Sequence, residues 1–87
     1  MKPTIAEIIN AVALGFGLTA QDLTGYSRKP ATVHARYIAY HAMRRAGVEI
    51  QSIAAAFNRN AQSVRFGLKR AAITLAENGH TYARKSA

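Results

Sequence analysis

Phe57-Asn58-Arg59-Asn60-Ala61-Gln62-Ser63-Val64-Arg65-Phe66-Gly67-Leu68-Lys69-Arg70-Ala71 is the stretch on which the reading of this chain turns. Apolar residues stand at Phe57, Val64, Leu68 and Ala71, with mostly polar or basic ones between them. That spacing predicts a helix from Ala61 with one buried stripe and an outward face of Gln, Arg and Lys. Upstream, Ile50, Ile53, Ala54 and Phe57 share the face of a shorter helix over about Glu49 to Phe57. Asn58-Arg59-Asn60 between the two reads as a turn. Ile53, Phe57, Val64 and Leu68 would lock the pair at a steep angle, and the small Ala54 lets the second helix approach. Asn60 is placed to cap that helix at its N-terminus. This is helix-turn-helix grammar.

Outward from the hairpin, the chain is well punctuated. Pro30 suits a helix first turn, where its missing N–H is no loss. A long helix runs from there to Ala46, with Ala35, Ile38, Ala39, Ala42, Met43 and Ala46 as its buried stripe and Gly47 as a left-handed C-cap. His34, Tyr37, His41, Arg44 and Arg45 lie off the stripe, and Tyr40 reads as a packing residue. Thr4 with Glu7 and Thr19 with Asp22 have the spacing of capping boxes. They open a first helix through Ile5, Ile8, Ile9, Val12 and Phe16, ended by Gly15 or Gly17, and a short second one ended near Gly25. Tyr26 to Pro30 form a basic connector. The last helix is expected to run to about Glu77, with Val64, Leu68, Ala71, Ala72 and Leu75 inward, and to stop at Asn78-Gly79. The fold class is therefore all-α: a compact bundle of about five helices over residues 1–79, followed by a flexible basic tail over 80–87.

Composition narrows the function. The chain has 87 residues, with 12 Lys and Arg against 4 Asp and Glu, for a net charge of +8. So strong an excess on one small domain points to a polyanionic partner. Cysteine is absent, which excludes a disulfide scaffold, cysteine-ligated zinc and thiol catalysis. Met1 to Ile5 do not begin a signal peptide, and no apolar run reaches the roughly 20 residues of a membrane span. A soluble, cytoplasmic, nucleoid-associated protein is expected. His34 and His41 lie two turns apart on one helix, without a neighbouring carboxylate, so no metal is expected. Glu7, Asp22 and Glu49 are accounted for at helix starts. No acid–base pair is left for catalysis. Neither an enzyme, a cofactor nor a small-molecule substrate is expected.

Charge and hairpin together predict binding to double-stranded DNA, with the second helix of the hairpin in the major groove. Ala61, Gln62 and Arg65 then face the bases, with Lys69 further along the same side. Gln can pair with adenine N6 and N7, and Arg with guanine O6 and N7. Ala61 can meet a thymine methyl. Asn58, Arg59 and Ser63 are placed for phosphates, which orient without specifying sequence. Asn60 at the helix start and Lys29 on the connector complete the candidate surface. Phe66 is open between a thymine methyl and a neighbouring side chain. The competing reading is an interaction module that grips an acidic surface of a host replication or transcription factor. Monomer and homodimer are equally open.

From about Ile5 to Leu75 the chain resembles the C-terminal DNA-binding domain of the bacterial replication initiator DnaA. Leu18-Thr19-Ala20-Gln21-Asp22-Leu23 is similar to the family's short helix with its Asp-Leu pair. Arg28 together with Ala35-Arg36-Tyr37-Ile38-Ala39-Tyr40 resembles the connector arginine and the Ala-Arg-x-x-Ala run of the long helix. Ile53 to Phe57 resemble the first helix of the family's hairpin. The resemblance implies that Arg28 reaches into the adjacent minor groove and that Arg36 holds a phosphate. It also implies a small regulator of transcription or replication, free-standing and of a size found in phage or accessory proteins. The family opens its recognition helix with Arg-Asp-His-Thr-Thr-Val, where this chain has Arg59-Asn60-Ala61-Gln62-Ser63-Val64 and one residue fewer after Phe57. A target other than the initiator's usual box is expected.

Overall fold

The computed structural model describes the backbone of residues 3–86 and the side chains of residues 3–75. Five helices follow one another: α1 (Ile5–Gly15), α2 (Ala20–Thr24), α3 (Pro30–Arg45), α4 (Ile50–Ala56) and α5 (Ala61–Ser86). Both capping boxes form. Thr4 N donates to Glu7 Oε1 at 2.8 Å while Glu7 N donates to Thr4 Oγ1 at 3.1 Å. Thr19 and Asp22 exchange the same bonds at 3.0 Å each. These backbone N–H donors hold both carboxyls below their ordinary pKa. Glu49 stands at a helix start, as expected. It occupies the N-cap of α4 but its side chain makes no capping hydrogen bond, so only its charge favours that helix end.

Three helices end in the same way. After α1, Gly17 takes φ +69° and Leu18 N donates to Ala13 O. After α3, Gly47 takes φ +89° and Val48 N donates to Met43 O. After α4 the left-handed position falls to Asn58 at φ +52°, and Arg59 N donates to Ala54 O at 2.8 Å. Each is a left-handed cap with the six-to-one bond of a Schellman motif. Asn is the side chain that tolerates this conformation best after Gly. The hairpin turn is therefore tight.

α3 packs against all four other helices. Its buried residues are Thr32, Ala35, Arg36, Ala39, Tyr40 and Met43. The expected stripe is thus rotated by about one position, with Ile38, Ala42 and Ala46 only half-buried. Apolar periodicity alone could not see that an arginine would turn inward, whereas Tyr40 packs as expected. Tyr40 is 1% exposed and meets the Phe57 ring edge-on at 4.9 Å. Leu23, Ile53 and Val64 complete the core between α2, α3 and the hairpin.

α5 lies close on α3 because Gly67 faces it. A Cβ at Gly67 would fall 2.6 Å from Tyr40 Cδ2 and 2.7 Å from Tyr37 Cδ1, inside contact distance. Val64, Gly67 and Ala71 are buried and Leu68 is half-buried, but Ala72, expected inward, is exposed. α5 also continues past the expected stop near Glu77, through Asn78-Gly79 to Ser86. One glycine weakens a helix by about 1 kcal/mol relative to Ala and does not by itself end it. The side chains of the tail, and with them the expected freedom of residues 80–87, lie outside the described residues. Among the described residues no helix is long and apolar enough to cross a membrane.

Candidate nucleic-acid interface

The start of α5 and the connector between α2 and α3 lie side by side. Asn60 caps α5 as expected, its Oδ1 accepting from Ser63 N at 2.8 Å. Gln62, Ser63, Arg65 and Lys69 are exposed, and Ala61 is half-buried at the rim. The connector brings Arg28 to the same side as the α5 start, and Lys29 next to it in the chain is also exposed. An open cleft of about 550 Å³ runs between them, lined by Arg28, Gln62 and Ser63 among others.

Two of the expected phosphate contacts are placed differently. Arg36 is 5% exposed. Its Nε donates to Leu23 O at 2.9 Å, and its Nη2 donates to Gly25 O at 2.9 Å and Ser27 O at 3.3 Å. Arg59 is half-buried. Its Nη1 donates to Phe57 O at 2.6 Å and Thr24 O at 3.4 Å, and its Nη2 donates to Gly25 O at 2.6 Å. Both guanidinium groups thus hold the α2 end and the connector, with Gly25 O as their shared acceptor. A planar group with five donors can join several carbonyls that no helix ladder satisfies. Burial, then the like charge of Arg59, pulls the Arg36 pKa below its ordinary value. Burial pushes the Tyr40 hydroxyl up.

Tyr26 completes this clasp, and nothing in the sequence singled it out. Its hydroxyl accepts from Asn58 Nδ2 at 2.8 Å, and the Arg59 guanidinium sits 5.0 Å from its ring centre. The contact joins residues 32 apart in sequence. Only their types, an aromatic beside a loop arginine and asparagine, hint at it. Asn58 is exposed but committed to this bond and to its left-handed backbone.

The geometry defines a class: a small helix-turn-helix domain whose second helix projects a polar, basic face beside a pinned basic connector. Residues 5–71 match the bacterial DnaA protein helix-turn-helix family, and the chain belongs to it. It is a family of DNA-binding domains, typically non-enzymatic. No curated protein and no solved structure matches the chain.

Proposed function

We propose that this domain binds duplex DNA sequence-specifically, by inserting the first turns of α5 into the major groove, and that it serves as a small regulator of transcription or replication. One observation carries the reading. Gln62, Arg65 and Lys69 stand exposed along α5, while the clasp on Gly25 presents Arg28 beside the helix start. Gln62 and Arg65 are the base readers. Lys29, Asn60, Ser63 and Lys69 serve the phosphates. Arg28, on the connector's exposed side, fits the neighbouring minor groove. Arg36 and Arg59 act as positioning residues that hold this connector in register with α5. Affinity comes mainly from cations displacing counterions from the phosphates, so it falls steeply with salt.

The test is selection of bound duplexes from a randomised pool, with sequencing, at near-physiological salt. A recovered motif supports specific readout, and a palindrome with half-sites one helical turn apart would assign a dimer. Retention without a motif would reduce the protein to a non-specific binder. No retained DNA would overturn the reading in favour of a protein partner.

A further inference from the structure

The outward stripe of α5 contains two exposed apolar residues, Phe66 and Ile73, of which Phe66 is the more exposed. Gln62, Phe66, Lys69 and Ile73 follow at spacings of four, three and four, the period of one helix face. The opposite face holds Val64, Gly67 and Ala71, all buried. Phe66 therefore stands in the middle of the face that looks away from the core. It is 58% exposed. It is also supported: the Tyr37 ring meets it edge-on, 6.2 Å between centres at 80°. Tyr37 can reach that place because Gly67 has no side chain to exclude it. The ring is thus held out on a rigid base.

Resting on the DNA reading above, we propose that Phe66 is a specificity-determining residue that packs on the C5-methyl of a thymine. Its surroundings select that partner. Arg65, Lys69 and Arg70 are its exposed neighbours on α5. An apolar protein surface would have to desolvate these cations, whereas a groove walled by phosphates pairs them. Within the major groove, the thymine methyl is the apolar group a phenyl ring can cover. Phe66 lies four residues beyond Gln62, about 6 Å along the helix axis. It therefore reads a base pair next to those met by Gln62. An exposed aromatic ring lacking such a partner would be left in water against the groove floor.

The experiment uses the full chain and the duplex recovered by selection. Each thymine of the motif is replaced singly by deoxyuridine, which removes only the methyl, and binding is followed by fluorescence anisotropy for the wild type and for Phe66→Ala. The expected result is one thymine whose replacement weakens the wild type about fourfold, the worth of one buried methyl, and leaves Phe66→Ala unaffected. Phe66→Ala should keep the salt slope of the wild type, since no charge is removed. Phe66→Leu, which retains an apolar side chain, should recover part of the uridine effect. Equal uridine effects in wild type and Phe66→Ala, or a motif without thymine, would overturn the inference and leave DNA binding standing. Unchanged binding of every duplex by Phe66→Ala would do the same and assign the ring to a protein-facing surface. Failure of the wild type to retain any duplex would remove both readings together.

Discussion

Arg36 and Arg59 point into the molecule, whereas Arg65 and Lys69 point out of it, and the two sets belong to different kinds of work. The inward pair converges on Gly25 O and on the carbonyls of Leu23 and Phe57, in a site that runs from buried at Arg36 to half-buried at Arg59. There a lost donor leaves carbonyls without a partner, so the penalty falls on stability. The outward pair makes no such commitment and stands in solvent, where surface charges contribute little to folding. On the DNA-binding reading its penalty falls on the ligand. In one short basic domain, cationic side chains are thus either tied to internal carbonyls or left exposed on α5, according to where each one points.

The comparison can be broken most sharply at Arg36. Arg36→Met should destabilise the fold by about 3 kcal/mol, because it removes the buried donors to Leu23, Gly25 and Ser27. In a domain of this size that is a fall in Tm of more than about 12 °C, readable by circular dichroism. A melting point within a few degrees of wild type would show that the clasp is not structural. Arg65→Ala should do the reverse. Its stability should stay within about 0.5 kcal/mol of wild type, while discrimination at one base pair drops by about 1–3 kcal/mol in competition binding.

A finer contrast is Arg59→Ala, partly exposed and braced by Tyr26. About 1 kcal/mol of stability should be lost, together with a change in preference at the motif edge nearest the connector. Stability loss with an unchanged edge would deny the connector any role in readout. Asn58→Gly should stay within about 0.5 kcal/mol, since glycine tolerates φ +52° and offsets the lost bond to Tyr26. Acid titration gives the smallest effect. Glu7 and Asp22 have folded pKa values lowered from 4.5 and 3.8, so their contribution is present above those values. It is lost as pH falls below them, through the folded values. Glu7→Gln and Asp22→Asn should flatten that part of a stability–pH profile.

How much was legible in the sequence follows from the range of each interaction. The Thr4 and Thr19 boxes, the glycine ends at Gly17 and Gly47, and the Asn60 cap are made within a few residues, and each stands where the spacing placed it. The hairpin of Ile53, Phe57 and Val64 was legible too, since helical period and burial agree there. The rotation of α3 was not. Arg36 is charged, and only the carbonyls of Leu23, Gly25 and Ser27 make it internal, whereas Tyr40, expected to pack, closes on the ring of Phe57. The length of α5 was not legible, because Asn78-Gly79 reads as a stop although one glycine weakens a helix without ending it.

The sequence by itself determined the class of the fold, the helix starts and most of their ends, and the basic character of the exposed surface. These depend on local hydrogen bonding, on period and on net charge, all written within a window of a dozen residues. The tertiary structure alone decided which arginines are free and which are buried, that Tyr26 ties the connector to the hairpin turn, and that Phe66 is held out on Tyr37. Those outcomes depend on which groups meet across 9 to 35 positions of chain. A side chain's partner at that distance is set by how the helices pack, and a guanidinium takes the nearest unsatisfied carbonyl that packing brings to it.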